Sequence, residues 1–411
     1  MLTRRIFLRG SAVVLAGMGA VPSWLARAAS TEGKKRKVLV VIFQRGAADG
    51  LNIVVPFAEK RYHDLRPSLA IAPPNSQSAA NGLINGNAID LDGRFALNGA
   101  MQPLKALWDK KQLAIVEATG SPDNSRSHFD AQDSMESGTP GKTSGDGWLN
   151  RALPPADSDT SPLRAVAMGN QVARTLRGER DAIAVGDPQQ FNLGNQDAAS
   201  ILETMYSTSA DAQWSRTGKD AFEAMKVIQS INRSPNLPQN GAQYGQAGDL
   251  GRSLQQLARL IKADAGVEAA FAEVDGWDHH GNENPQLSNM LRQFSNALAA
   301  FSQDMGDRME DIVIVTMSEF GRTVEENGNS GTDHGHGSLM MALGGPVAGG
   351  KVYGEWPGLE KEQLFEGRDL AVTTDFRAVL SELIRGHLGQ KDLGPVFPGY
   401  QAGSPLGLLR S

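Results

Sequence analysis

The chain has 411 residues, of which 40% are hydrophobic and 21% are charged, a composition typical of globular proteins. Its formal net charge is −6, and it has no basic stripe of the kind that binds nucleic acid, so nucleic acid is not an expected partner. Cysteine is absent, which means that the fold must be stable without disulfides.

The first 28 residues have the features of an export signal. Paired arginines at positions 4 and 5 precede an apolar stretch, 12–21, and a small-residue cleavage motif, 26–28. The apolar stretch contains glycines and is shorter than the roughly 20 residues that span a bilayer. We therefore predict a twin-arginine signal peptide, no stable membrane span, and a mature protein in the periplasm or outside the cell. The twin-arginine translocase, which carries folded proteins, is then an expected partner during export.

The first predicted strand of the mature chain is the apolar run 38–43, which is short and β-branched like a buried parallel strand. It leads into a Gly-rich loop that contains Asp49. Enzymes of the α/β class often place a phosphate or metal site in such a loop, but GxGxxG or Walker spacing is absent here. For this loop alone, a turn at Asp49-Gly50 is the simpler interpretation.

Ser127 is predicted at the start of a helix over residues 127–137. Before it, the sequence predicts a loop or hairpin over 75–98, a helix over 101–110 and a strand over 113–118. The N–H groups and the dipole of a helix N-terminus favour an anion and can make a hydroxyl more acidic, although Ser127 taken alone is explained as an N-cap.

Residues 139–250 are the least informative part of the sequence, and a helical cap or insertion is possible within 145–250. Helices are predicted over 198–207 and 219–231, and the region is either a helical cap or insertion, or a flank of the main domain. An amphipathic helix over 250–261 and a strand over 267–274 follow it.

Two acids and two histidines lie within six residues, from Asp275 to His280, directly after this strand. Oxygen and imidazole ligands together suit Zn, Mn or Fe, and carboxylates also accept Mg or Ca. The alternative is a polar loop in which Asp278 caps the next helix. Apolar residues spaced three and four apart between 287 and 305 indicate that helix.

The stretch 311–345 combines two apolar runs with a polar loop. The first run, 312–317, stops at Ser318 and Glu319, and the second, 339–343, follows a Gly-rich loop that contains His334 and His336. Caps and a flexible loop would explain each feature alone. Because ligands bind at the carboxyl edge of open α/β sheets, we interpret the successive polar strand ends as one site. A last helix is predicted over 375–387, with His387 as a structural residue.

The sequence resembles an exported bacterial family known as a domain of unknown function, which is placed in the alkaline phosphatase and sulfatase-like superfamily. The motifs that carry the resemblance are, in order, RGAADGLN, RSHFDAQDSMESG, GWDHHGNE, SEFGRT and GTDHGHG. The resemblance implies one domain over 29–411, folded as a three-layer α/β/α sandwich with a mainly parallel sheet.

The resemblance also implies a set of metal ligands. Asp275 and His279 match the superfamily spacing as an alternative to Asp278 and His280, and both pairs stay open. Phe320 stands where the superfamily usually has a histidine, so one of two metal positions would lack a ligand. The implied ligands are Asp49, Asp278, His280, Glu319 and His334, with His336 as the alternative to His334.

The activity that the resemblance implies is metal-dependent hydrolysis of a small anionic ester, a phosphate or sulfate, or of a glycan. The cofactor would be one or two divalent ions, Zn, Mn, Mg or Ca. Ser127 would be the nucleophile, and Arg45, Arg126 and Arg322 would hold the non-bridging oxygens. The alternative is a non-catalytic exported binding or assembly protein on a degenerate form of the same fold.

Overall fold

A nine-stranded, mainly parallel sheet forms the centre of the structure. The structure is a computed structural model. It describes residues 36–76, 86–141, 144–157, 160–186 and 237–410 and a few helical positions between 222 and 231. The strands are β1 (Val38–Gln44), β2 (Val54–Val55), β3 (Ile89–Asp90), β4 (Ala96–Leu97), β5 (Leu113–Gly120), β6 (Ala165–Ala167), β7 (Ile183–Ala184), β8 (Ala269–Val274), β9 (Ile312–Ser318), β10 (Ser338–Gly344), β11 (Lys351–Tyr353) and β12 (Thr374–Asp375).

The sheet has the strand order β11-β5-β10-β9-β1-β8-β6-β7, with β12 beside the end of β5. β10 runs antiparallel to both of its neighbours, and the other pairings in this sheet are parallel. A small antiparallel sheet, β2-β4-β3, lies beside it.

Helices cover both faces of the central sheet. The described α-helices are α1 (Gly50–Ile53), α2 (Lys60–Leu65), α3 (Gln102–Asp109), α4 (His128–Ser137), α5 (Trp148–Ala152), α6 (Gly248–Lys262), α7 (Glu283–Met305) and α8 (Phe376–Leu383). Alternate residues of β1 belong to two separate cores, because successive side chains of a strand point to opposite faces. The core that contains Val40 includes α3, α6 and α7, and the core that contains Val41 includes α5 and α8.

Most elements predicted from the apolar pattern are confirmed within the described ranges. The strands predicted at 38–43, 113–118, 267–274, 312–317 and 339–343 are present, as are the helices predicted at 101–110, 127–137, 250–261 and 287–305. The last predicted helix, 375–387, is α8 followed by a π-helical turn, Ile384–Leu388.

Region 145–250 contributes to the central sheet, because β6 and β7 continue it beyond β8. The helix predicted over 198–207 lies outside the described residues. Part of the helix predicted over 219–231 is described, and its helical residues Ala224, Val227, Ile228 and Ile231 are buried.

The strand register brings four loops to one level at a single edge of the sheet. Gln44, the last residue of β1, lies opposite Val274 at the end of β8 and Ser318 at the end of β9. Ser338, the first residue of the antiparallel β10, lies opposite Thr119 near the end of β5. The loops after β1, β5 and β8, and the loop that connects β9 to β10, therefore meet at this edge.

Candidate metal site

Three histidines and one aspartate from these loops direct their side chains to one place. His128, Asp278 and His334 each offer a ligand atom within 4.8 Å of the others. His280 joins them, since its Nε2 atom lies 3.0 Å from Oδ1 of Asp278 and 3.1 Å from Nε2 of His334. We call His128, Asp278, His280 and His334 the imidazole cluster.

The spacing within the imidazole cluster suits ligands of one ion. Nε2 of His334 lies 3.2 Å from Oδ1 of Asp278, and Nε2 of His128 lies 3.5 Å from Oδ2 of the same carboxylate. Ligand atoms bound tetrahedrally at ~2.0–2.1 Å from a zinc ion stand roughly 3.3 Å apart. His128, Asp278 and His334 therefore fit as ligands of one divalent ion, with His280 beside them.

The outer nitrogen of each imidazole faces an acceptor, which fixes the tautomer. Because carbonyl and carboxylate oxygens only accept hydrogen bonds, each Nδ1 carries the proton and donates. The acceptors are the Glu319 carboxylate for His128 at 2.8 Å, the Arg126 carbonyl for His334 at 3.0 Å and the Asp333 carboxylate for His280 at 3.2 Å. In the neutral rings the three Nε2 atoms then present lone pairs to one another and to Asp278.

Facing lone pairs around a carboxylate are an arrangement that would suit a bound cation. Nε2 of His128 is buried without a hydrogen-bond partner, as expected of a ligand atom whose partner is an ion. Metal-bound histidines commonly donate their other ring N–H to a carboxylate or carbonyl in this way.

Arg322 holds the aspartate of the imidazole cluster in its ionised form. Its buried guanidinium donates to Asp278 and to the carbonyls of Gly46 and Ala47. Burial alone would raise the pKa of Asp278, but the hydrogen bond and charge of Arg322 outweigh burial and lower that pKa to about 2. Asp278 is therefore a carboxylate at any working pH.

Glycines allow the loops of the site to pack this closely. Gly46 has φ +116°, and a Cβ atom there would lie 2.6 Å from the backbone nitrogen of Asp278. A Cβ on Gly335 would lie 2.3 Å from the backbone of Arg322. Glycine at these positions therefore allows neighbouring loops to pack against each other without a clash from a Cβ atom.

The structure brings Asp278, His280 and His334 of the predicted ligands together and places the others elsewhere. Asp49 is buried in an ion pair with Arg66, whose Nη2 lies 2.9 Å from Oδ1 of Asp49. Glu319 contacts Nδ1 of His128, on the outer side of that ring. His336 is buried and stacks on Phe365, with ring centroids 4.3 Å apart.

The alternative pair, Asp275 and His279, lies outside the imidazole cluster. Asp275 is exposed, and His279 is buried, which lowers the pKa of its imidazole to about 4. The loop between β8 and α7 turns at Gly276, with φ +97°. It is thus Asp278 and His280 that reach the other two histidines.

The three arginines predicted to bind an anion all contact protein acceptors. Arg45 pairs with Glu136 and Glu273, and Arg126 pairs with Glu366 and Asp369. The backbone carbonyl of Arg126 contacts Nδ1 of His334, so the backbone of Arg126 lies beside the imidazole cluster. Arg322 donates hydrogen bonds to the carbonyls of Gly46 and Ala47 and to the carboxylate of Asp278.

Ser127 is the N-cap residue of α4, as predicted, and its hydroxyl does not cap the helix. Its neighbour His128 was not among the residues selected from the sequence. The signal was present, because His128 is one of only seven histidines and lies in the same polar segment after β5. The sequence predicts a role for the serine hydroxyl, whereas in the structure it is the imidazole of His128 that joins the cluster.

The fold and this site define an α/β protein with a candidate metal centre at the carboxyl edge of its sheet. The model of the family described as Protein of unknown function (DUF1501) matches residues 36–392. The chain belongs to this family, in agreement with the resemblance to a domain of unknown function. A comparison with curated proteins gave no match. In the described part of the chain, no helix has the length and hydrophobicity needed to cross a membrane.

Proposed function

We propose that this chain is an exported, metal-dependent hydrolase of a small anionic ester, a phosphate or a sulfate, on an alkaline phosphatase-like fold. The observation that carries the proposal is the convergence of three Nε2 atoms on the Asp278 carboxylate. Three imidazoles and a carboxylate suit a borderline ion such as zinc better than magnesium or calcium. The ligands would be His128, Asp278, His280 and His334.

A bound divalent ion would supply positive charge that stabilises the negative charge of the transferring group. Ser127, at the N-terminus of α4, would attack the phosphorus or sulfur atom and lose its hydroxyl proton. The bond to the leaving group would break, and the leaving oxygen would take up a proton. Water would then release Ser127 and free phosphate or sulfate, so that each cycle consumes one water molecule.

The chain itself would orient the anion through donors at the same edge. Arg126 is the best placed of the three predicted arginines, because its side chain is 30% exposed and its carbonyl contacts His334. Its Nε and Nη2 groups donate to Asp369 and Glu366. Arg45 is less exposed, and the Arg322 side chain is buried.

The first experiment is elemental analysis of the purified mature protein and of three variants, His128→Ala, Asp278→Asn and His334→Ala. We expect close to one ion per chain in the wild type and much less than one ion per chain in each variant. His63→Gln is the matched control, since the His63 ring contacts the carbonyl of Phe57 and not the imidazole cluster. Metal retained by all three variants would contradict the assignment.

The second experiment is a screen of phosphate and sulfate esters with the metal-loaded protein. Hydrolysis that is lost in Ser127→Ala and retained in His63→Gln is the expected result. A protein that binds one ion and hydrolyses none of these esters would instead be a non-catalytic binding or assembly protein.

A further inference from the structure

Glu283, the first residue of α7, is a fully buried carboxyl group that follows His280 by three residues in the chain. Its Oε2 atom accepts a hydrogen bond from Oγ1 of Thr332 at 2.8 Å. Its Oε1 atom is buried and receives no hydrogen bond from the described residues. An unpaired buried acid is costly, so this carboxyl group needs a partner besides Thr332.

The hydrogen bond from Thr332 to Glu283 joins two of the segments that carry the imidazole cluster, 278–283 and 327–334, which we call the metal-site loops. Three backbone hydrogen bonds also join these loops, from Asn282 to Asn329, from Glu283 to Ser330 and from Thr332 to His279. The contacts of the His280 ring with the second loop are exposed, so water competes for them. The contact between Thr332 and Glu283 is buried and is protected from that competition.

The second partner of Glu283 is the buried carboxylate of Asp49, which the Glu283 side chain also contacts. Asp49 is paired with Arg66, and this one guanidinium balances one negative charge. Two buried carboxyl groups in contact do not both ionise beside a single cation. Burial, and then the negative charge of Asp49, raise the pKa of Glu283 well above its usual range. Glu283 is therefore the protonated member of the pair, which donates to Asp49 and accepts from Thr332.

We propose that Glu283 is a positioning residue of the candidate metal site, which holds the loop of His334 against the loop of Asp278 and His280. This inference rests on the proposed function, because metal binding is the property that the spacing of these loops would control. An acid in the first turn of a helix often serves the helix dipole, but a neutral acid gains little from it. The role of Glu283 therefore lies in its two hydrogen bonds.

The first experiment is hydrogen exchange with mass spectrometry on the metal-free full chain, measured in peptides from the metal-site loops. Glu283→Ala and Thr332→Val each remove the buried contact. Thr332→Val also keeps the size of the side chain, so it tests the contact even if Glu283→Ala does not fold. Loss of one buried hydrogen bond should speed exchange in both loops about three- to tenfold.

Glu283→Gln should behave like the wild type. The amide N–H of glutamine can donate to Asp49, and its carbonyl can accept from Thr332, as the protonated carboxyl group does. An ionised Glu283 that acts through its charge would not be replaced in this way, so the rescue distinguishes the two roles.

The second experiment is a chelator competition for zinc with the same proteins. Glu283→Ala and Thr332→Val should raise the Kd about tenfold, at the lower end of the range for residues that orient metal ligands, while Glu283→Gln leaves it unchanged. Thr175→Val is the matched control, because it removes the hydrogen bond from another buried threonine to an acid, Glu136, at 2.9 Å. That contact lies outside the metal-site loops, so exchange in these loops and the Kd should stay at the wild-type values.

Unchanged exchange in the metal-site loops of both Glu283→Ala and Thr332→Val would overturn the inference, as would a loss in Glu283→Gln as large as that in Glu283→Ala. If the wild type binds zinc and all variants share its Kd, the inference is wrong and the metal site of the proposed function stands. If the wild type binds no zinc but exchange changes as expected, Glu283 holds the loops as inferred and the proposed function is rejected.

Discussion

Oε1 of Glu319 lies 2.8 Å from Nδ1 of His128, on the side of the ring that faces away from the other imidazoles. The same oxygen accepts hydrogen bonds from the backbone of Gly46 at 2.8 Å and from Gln132 at 3.0 Å. These donors outweigh the effect of burial and lower the pKa of Glu319. The geometry thus favours a role in orienting His128 over the direct ligation that the sequence predicted.

Glu319→Gln should weaken metal binding without removing the site. Carboxylates behind a metal-bound histidine typically contribute 10- to 100-fold in affinity, and we expect a loss of about that size. The measurement is a chelator competition that yields both the stoichiometry and the Kd.

The size of the affinity loss in that titration distinguishes the two roles of Glu319. Loss of an orienting carboxylate should raise the Kd less than His334→Ala does, whereas loss of a direct ligand would raise it as much. His336→Gln serves as the comparison, since His336 stacks on Phe365 outside the imidazole cluster and should bind metal like the wild type.

The sequence predicts the sheet well because buried parallel strands are short, continuous apolar runs. Thus β1 and β9 are confirmed within a residue of their predicted ends. It also predicts the site edge, since acids and histidines follow these strands. The direction of β10 is not visible in its apolar run, because an antiparallel strand buried on both faces has the same pattern.

Partners of individual side chains are much harder to predict from the sequence. Asp49 follows β1 as a metal ligand would, but Arg66, 17 residues later, neutralises it, and nothing in the local sequence marks that contact. Glu319 and His128 are 191 residues apart, so the orienting contact depends entirely on the strand order. Ser127 and His128 are adjacent, and the sequence does not show which of them reaches the imidazole cluster.

The ion pair of Asp49 and Arg66 should contribute to stability and not to metal binding. Both side chains are buried, and Arg66 also donates to the carbonyls of Thr323 and Val324. Arg66→Met leaves an uncompensated buried carboxylate, which typically costs about 3–5 kcal/mol, whereas Arg66→Met combined with Asp49→Asn should recover part of that loss. Urea denaturation measures both free energies of unfolding.

Elemental analysis of Asp49→Asn completes this test. If the pair is structural, the folded variant keeps its metal. A folded Asp49→Asn protein that has lost its metal would show that Asp49 is a ligand after all, as the resemblance implied.

His387 should make the protein less stable in mild acid. It is buried, its Nε2 donates to the carbonyl of Val38 at 3.0 Å, and its Nδ1 has no hydrogen-bond partner. Burial lowers the pKa of His387 to about 4, against about 6.5 in an unfolded chain. The unfolded state therefore binds more protons between these values, and the stabilisation present above pH 6.5 is lost as the pH falls toward 4.

At pH 5 this effect should reduce the free energy of unfolding by about 2 kcal/mol relative to pH 7.5. His387→Gln can still donate to Val38 but does not titrate, so the difference between the two pH values should be smaller in the variant by about that amount. Urea denaturation in the presence of a chelator measures it without a contribution from metal. His279 also has a pKa of about 4 and stays in both proteins, so a residual dependence is expected.

Gly46→Ala should damage both the fold and the metal site. The φ of +116° is strained for alanine, and the added Cβ would lie 2.6 Å from the backbone nitrogen of Asp278 and 3.0 Å from the backbone of Trp277. The loop that carries Asp278 must shift, which we expect to cost about 1–3 kcal/mol of stability and to weaken metal binding.

Gly93→Ala is the control, because Gly93 also has a positive φ, +82°, but nothing lies within 4 Å of its added Cβ. Gly93→Ala should therefore cost about 1 kcal/mol and leave metal affinity unchanged. Equal metal affinities in the two variants would mean that the contact between the β1 and β8 loops does not position Asp278.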